Sequence, residues 1–198
     1  MLGRRGPAQA AFTNPEAKEL CDLAGADLCV LPEEAALDEL SQADIKNGAE
    51  KSVVRKVELI QQTARRAPGN KPKKLIIRFL MSPVELLADE NNGLAKMRMV
   101  KNELYRTESG TLRPRPTDSI EEVPIGLLFR SVGYRGLSLP GVPFNHDWGV
   151  ILNENGRIVD AESRKPLAGL YTSGWIKRGP SGVIGTNKAD SVETVNLL

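Results

Sequence analysis

With 198 residues, 40% hydrophobic and 26% charged, the chain has the composition of an ordinary globular protein, long enough for one core or two small ones. A net charge of +2 calls for neither nucleic acid nor a membrane surface, and no apolar run approaches the roughly 20 residues of a membrane-spanning helix. Two cysteines, Cys21 and Cys29, and one histidine, His146, are too few for a disulfide scaffold or a metal site of four ligands; with a start that lacks an apolar signal-peptide core, they predict a reduced, cytoplasmic protein.

The chain opens on Gly3-Arg4-Arg5-Gly6-Pro7, where a strand would end and a loop begin. Guanidinium groups bind phosphate as planar, permanently charged forks, and flanking glycines leave the approach open. A solvated basic terminus accounts for the same pair. Residues 14–24 read as a helix with Asn14 as cap, Pro15 in the first position, Leu20, Leu23 and Ala24 on the apolar side, and Gly25 as terminator. The charge then changes sign. Positions 16–44 carry nine acidic residues and one basic; positions 46–78 carry ten basic and two acidic. Within the basic block, Val53, Val54, Val57, Ile60 and Ala64 recur at helical spacing, so residues 51–66 are predicted as an amphipathic helix. Its basic face suits an acidic protein partner, or equally plain solvation, and the block's lack of aromatic residues argues against stacking on single-stranded bases.

Residues 67–73 read as a loop, 74–80 as a strand, and 84–88 and 94–104 as two strands around the hairpin-type turn Glu90-Asn91-Asn92-Gly93. Met97 and Met99 alternate with Arg98, the pattern of a half-buried strand. Residues 106–119, polar and broken by Pro114 and Pro116, are predicted as a connecting loop, and the apolar run 123–132 as a strand that closes a first domain near Gly133. An irregular crossover follows at 140–144. Segments 148–152 and 157–161, joined by Asn153-Glu154-Asn155-Gly156, form a hairpin. His146 beside Asp147 has the composition of an acid–base pair, yet no nucleophile lies nearby in sequence, which favours solvent-facing loop roles.

The last segment carries the densest signal. An apolar run, 170–173, reads as a short buried strand closed by Gly174; the turn Gly179-Pro180-Ser181-Gly182 feeds a helix marked by Ile184, Ala189, Val192 and Val195. The first N–H groups of such a helix suit an anion or an electron-rich ligand edge, and Gly182 lets a flat ring lie against the backbone. A plain strand-to-helix connection fits the outline equally well.

Two motifs taken whole are more specific. Gly174-Trp175-x-Lys177-Arg178-Gly179-Pro180-x-Gly182-Val183-Ile184 closely resembles the C-terminal flavin motif of the adrenodoxin reductase-type ferredoxin–NADP reductases. Gly3-Arg4-Arg5-Gly6-Pro7-x-Gln9-x-Ala11-Phe12-Thr13 resembles the same family's NADP motif, and Arg78-Phe79-Leu80-x-Ser82-Pro83-x-Glu85 recurs there as scaffold. The resemblance covers nearly the whole chain and implies an α/β fold that is part of a two-dinucleotide-binding-domain flavoprotein: residues 1–133 the C-terminal part of an NADP-binding domain, residues 134–198 the C-terminal part of an FAD-binding domain.

It implies that Arg4 and Arg5 hold the 2′-phosphate of NADP, with Glu16 at the adenosine ribose. It places Trp175 against the flavin of FAD, the backbone N–H groups of Gly182, Val183 and Ile184 at its pyrimidine edge, and Gly182 also near the nicotinamide of NADP; Lys177 and Arg178 carry no catalytic act. The implied activity is FAD-mediated electron transfer from NADPH to an acidic iron–sulfur ferredoxin docked on basic residues. No Gly-x-Gly-x-x-Gly turn occurs in the sequence, although the family carries two ahead of the Gly-Arg-Arg segment. The chain therefore reads as an interior to C-terminal fragment, expected to hold FAD weakly or not at all. The alternatives are a truncated, non-catalytic chain and a basic protein-interaction module without activity of its own.

Overall fold

The computed structural model describes residues 1–67, 69–182 and 184–197 of an α/β chain that divides into two compact units, residues 1–128 and 129–198. The first unit begins with strand β1 (Leu2–Gly3) and a 3-10 turn at Pro7–Gln9, followed by helix α1 (Asn14–Cys21) and strand β2 (Ala26–Val30). Helices α2 (Pro32–Ala35), α3 (Glu39–Lys46) and α4 (Lys51–Arg65) then lead to strand β3 (Lys73–Phe79). The three strands form a parallel sheet in the order β1-β3-β2, with Leu2 opposite Arg78 and Val30 opposite Ile77. Parallel pairing requires a crossover, and the helices between β2 and β3 supply it. Val30, Ala35, Ile60, Ile77 and Phe79 form the core beneath α4, whose apolar residues fall on the face the sequence periodicity assigned.

Helix α1 is capped one residue earlier than expected. Thr13, not Asn14, is the N-cap, in a reciprocal capping box with Glu16. The helix ends at Cys21, short of Leu23 and Gly25, because the chain must turn into β2 at Ala26.

A meander of β4 (Met81–Ala88), β5 (Leu94–Arg106) and β6 (Leu112–Pro124) completes the unit, packed around Met81, Met97 and Met99. Strand β6 replaces most of the expected polar loop at 106–119. It is an edge strand, so Pro114 and Pro116 need no outward ladder bond, and a register shift between Val100 and Asn102 absorbs the irregularity. The expected strand at 123–132 is not formed as such. Val123 and Pro124 end β6, Ile125 adds one bond to the Ala95 carbonyl at 2.9 Å, and beyond it Leu127, Phe129 and Val132 are exposed without regular structure. An apolar run states that burial is favoured, not that a strand partner is present.

The second unit contains β7 (Phe144–Asn145) paired with β8 (Val150–Ile151), and a sheet ordered β11-β10-β9 from β9 (Asn153–Glu154), β10 (Arg157–Val159) and β11 (Pro166–Tyr171). Of the expected hairpin, β9 and β10 pair at the tip, with Asn155 and Gly156 both at positive φ, and the Val159 N–H donates to the Leu152 carbonyl at 3.0 Å; β8 pairs with β7 instead. Helices α5 (Trp175–Arg178) and α6 (Ile184–Val195) close the chain.

Candidate functional site

Arg4 and Arg5 lie immediately past the carboxyl end of β1, the end of a parallel sheet at which ligands bind in open α/β folds. Their backbone is fixed from below. The Arg5 carbonyl accepts from the Leu80 N–H at 3.2 Å, and the Arg4 carbonyl accepts from Asn102 Nδ2 at 3.0 Å. Asn102 is itself buried; its N–H donates to the Leu80 carbonyl at 2.6 Å and its amide also donates to Ser82 Oγ at 2.8 Å. Leu80 adopts φ 57°, a conformation uncommon for a leucine, at the corner where β3 passes into β4. The two guanidinium groups are exposed and, among the described residues, make no ion pair or hydrogen bond. A pinned backbone with unengaged guanidinium forks suits an incoming phosphate.

Glu16 has a structural occupation. Its carboxylate accepts from the Thr13 N–H at 2.6 Å and the Thr13 hydroxyl at 2.9 Å, and those bonds hold its carboxyl below the ordinary range. It remains exposed, in the first turn of α1.

The scaffold motif is an ionic brace. The buried Glu34 carboxylate accepts from Arg78 Nε at 2.7 Å and from the Phe79 N–H at 2.8 Å, while Arg78 reaches both oxygens of Glu121 on β6 at 2.7 and 3.0 Å. The bonds from Glu121 and Glu34 hold Arg78 still more firmly charged, against the burial that opposes it. The brace ties β3, α2 and β6 together inside the first unit.

In the second unit the flavin-like motif takes a definite shape. Strand β11 ends at Tyr171. It is not buried as expected: Leu170 and Tyr171 are 41% and 38% exposed, on a strand at the edge of its sheet that, among the described residues, pairs with β10 alone. Gly174, at φ 74° and ψ −151°, turns the chain into α5, and Gly179 and Gly182, at φ 89° and 78°, shape the loop to α6. Trp175 is 39% exposed, with the Tyr134 ring centroid 5.6 Å from its own. Gly182 is exposed, and Ile184 is the first residue of α6, whose opening N–H groups have no acceptor within the helix. Val183 lies outside the described residues.

Lys177 and Arg178 hold this loop together. The Lys177 ammonium, 8% exposed, bonds Glu193 at 2.6 Å, Asp190 at 3.1 Å and the Thr194 hydroxyl at 3.2 Å. Burial alone would lower the Lys177 pKa, but Glu193 and Asp190 hold it above the ordinary value. Burial would likewise raise Asp190; the Gly174 N–H it accepts, Lys177 and Arg178 hold it below. Arg178 donates to the Ser181 carbonyl and hydroxyl, to Thr186 Oγ1 at 3.1 Å and to Asn187 Oδ1 at 2.7 Å, spanning the turn from α5 to α6. Asp190 was missed by sequence reasoning. The available signal was an acidic pair, 190 and 193, on the helix following a Lys-Arg doublet.

Elsewhere, His146 and Asp147 are exposed turn residues. The His146 ring packs edge-on to Phe144 at 5.2 Å, and the Asp147 N–H donates to Asn145. Within the basic block, Lys56 is buried, whereas Lys51, Arg55, Arg65 and Arg66 are exposed. Among the described residues no cluster of metal-ligating side chains occurs, and no helix is long and apolar enough to cross a membrane.

No protein-family model matches the chain. Across its full length it is 39% identical to the NADPH-ferredoxin reductase FprA of Mycobacterium tuberculosis and spans 41% of that protein. It is 35% identical to the human mitochondrial NADPH:adrenodoxin oxidoreductase, covering all of this chain and 40% of the relative. The solved structure of M. tuberculosis FprA in complex with NADPH matches the whole chain with a TM-score of 0.84 at 39% identity, over 41% of that structure. The chain thus spans about two fifths of the length of the curated relatives it matches, and those homologues are NADPH–ferredoxin and NADPH–adrenodoxin oxidoreductases.

Proposed function

We propose that this chain serves as part of an FAD-dependent NADPH–ferredoxin reductase of the adrenodoxin reductase type. In this reading it supplies the 2′-phosphate-recognising loop of the NADP site and the ring-facing loop of the FAD site. The observation that carries the reading is the full-length match to a structure determined with NADPH; the unengaged Arg4–Arg5 pair supports it. Residues 1–133 form the NADP-domain portion and residues 134–198 the FAD-domain portion. Arg4, Arg5 and Glu16 face NADP, and Glu16 reaches the ribose region from its capping position. Trp175 and the backbone of Gly182, Val183 and Ile184 face FAD, with Gly182 also against NADP.

The residues fit these groups chemically. Two free guanidinium forks match a phosphate dianion, and the half-exposed Trp175 indole and the exposed Gly182 backbone ahead of α6 are each of a kind that suits a planar, electron-rich ring. FAD, when bound, supplies the chemistry that links two-electron donors to one-electron acceptors. The chain's part would be to bind and orient: the start of α6 would offer its positive end to the ring, and the Arg178 staple keeps the intervening turn in place.

The partner in this reading is an acidic iron–sulfur ferredoxin, and the location is cytoplasmic. Exposed Lys51, Arg55 and Arg66 provide the docking charge; Lys56, being buried, does not. Reversing Lys51 and Arg55 to Glu is expected to weaken association with an acidic ferredoxin about tenfold at low salt, with a flatter salt dependence. An unchanged affinity and salt slope would remove α4 from the docking surface.

The direct test of the reading is coenzyme titration of the 198-residue chain. NADPH should bind at least about tenfold more tightly than NADH, the order of charge-assisted bonds to a phosphate. Equal affinities would sink the NADP assignment. Desalting after incubation with excess FAD is expected to return a nearly colourless chain, since no Gly-x-Gly-x-x-Gly turn is present to cradle a pyrophosphate.

A further inference from the structure

Lys56 is a buried cation with no acid beside it. It is 9% exposed, and among the described residues it makes no ion pair; its ammonium donates to the Ala10 carbonyl and lies 5.8 Å from the centre of the Phe12 ring. Burial pushes its pKa down, and the field of Arg5 pushes it further in the same direction. Other buried charges are matched: Glu34 with Arg78, Asp190 with Lys177. Taking an ammonium partly out of water with no carboxylate paired to it is unfavourable, and the field of a like charge adds to that. The other buried residues of α4 are Val57, Ile60 and Thr63, none of them charged.

The same lysine ties the loop together. Residues 9–13 run from the Arg4–Arg5 turn to α1, and the Lys56 ammonium holds that loop to α4 through Ala10. The field of the exposed Arg5 reaches Lys56, and among the described residues neither cation has an ion-pair partner. A dianion at Arg5 would supply a counter-charge.

We propose that Lys56 is a positioning residue for the phosphate site: it fixes the loop behind Arg5 and adds a buried third charge that favours a phosphomonoester dianion over a neutral hydroxyl. The inference rests on the NADP reading above and deepens it, because it says what makes the site select the doubly charged ligand. Lys56 acts on the phosphate through the loop and through its field.

The test titrates the 198-residue chain with adenosine 2′,5′-bisphosphate and, separately, adenosine 5′-monophosphate, for the wild type, Lys56→Met, Lys56→Arg and the double variant Arg4→Ala/Arg5→Ala. Lys56→Met keeps the apolar stem and removes the charge together with the cost of desolvating it. It is expected to melt at or above the wild-type temperature while binding the bisphosphate about tenfold more weakly, with the monophosphate unchanged. Lys56→Arg should keep most of the preference. Equal weakening toward both ligands, or a destabilised variant with the preference intact, would make Lys56 a merely structural residue and overturn the proposal. Should Lys56→Met unfold, Lys56→Gln takes its place with the same two outcomes, and loss of the preference in a folded Lys56→Arg would overturn the proposal as well. The double variant separates the two claims: if it retains the wild-type preference, the NADP reading itself fails; if it loses the preference while Lys56→Met does not, only the role of Lys56 fails.

Discussion

Two adjacent basic pairs flanked by glycine appear in this chain, and the structure treats them in opposite ways. Arg4–Arg5 has a fixed backbone and unengaged guanidinium groups. Lys177–Arg178 has every charge engaged internally, by Asp190, Glu193, Ser181, Thr186 and Asn187. In one-letter terms the pairs look alike. The difference lies in the elements around each: the first pair ends a two-residue strand and leads into a loop, whereas the second sits on a four-residue helix whose turn brings it back onto α6. A free cation is one whose backbone is held by others; an engaged cation is the one doing the holding.

The contrast is tested most forcefully at Lys177. Lys177→Met leaves Asp190 buried opposite only Arg178, at 3.8 Å, and is expected to destabilise the second unit by about 3–5 kcal/mol. Denaturant unfolding followed by Trp fluorescence measures it, and a loss under about 1 kcal/mol would show that the clamp is not needed. The pH dependence should follow with both signs. Asp190, held below its ordinary pKa, contributes stability that is present above the usual carboxylate range and lost as pH falls through its depressed folded value. Lys177, held above its ordinary pKa, contributes stability that is full below that value and lost only as pH rises through the raised one. Asp190→Asn should therefore remove part of the acid limb of the stability profile.

The converse experiment is Arg4→Ala/Arg5→Ala. Neither guanidinium has an internal partner among the described residues, so stability should change by no more than about 0.5 kcal/mol. Preference for NADPH over NADH, in contrast, should fall by about ten- to a hundredfold, measured by titration. A destabilisation comparable with that of Lys177→Met would erase the distinction between the pairs.

Local periodicity carried much of this architecture. The amphipathic helix α4, the alternating Met97 and Met99 on β5 and the glycine-shaped turn before α6 all follow from spacing. Edge strands did not, because β6 has prolines and polar residues that a central strand would exclude, and an edge tolerates both. Burial of single charged residues was equally hidden. Lys56 sits in a basic block and reads as solvated; only the tertiary approach of Ala10 and Phe12 buries it. The two motifs were legible as resemblance, and their charge states were not, since Asp190 meets Lys177 only once α6 has folded back.

The two regions also differ at their glycines, where substitutions should matter least. Gly182 adopts φ 78°, and a methyl group there would stand 2.4 Å from Thr186 Oγ1, the hydroxyl that accepts from Arg178. Gly182→Ala must therefore either carry a left-handed alanine or move Thr186 and loosen one arm of the staple, at a cost of about 1–2 kcal/mol. Arg178 still grips Asn187 and Ser181, which keeps the loss from growing larger. Gly3 is the opposite case. Its φ is not in the left-handed region, and an added methyl would meet the Arg78 carbonyl at 3.6 Å and the Phe79 ring at 3.7 Å, ordinary contact distances. Gly3→Ala is expected to change stability by less than about 0.5 kcal/mol, and toward stabilisation, since alanine restricts the unfolded chain. Paired denaturation curves decide it: a Gly3 variant as costly as the Gly182 variant would mean that the arginine loop is strained too, and that its backbone is held by conformational tension and not simply by the bonds from Leu80 and Asn102.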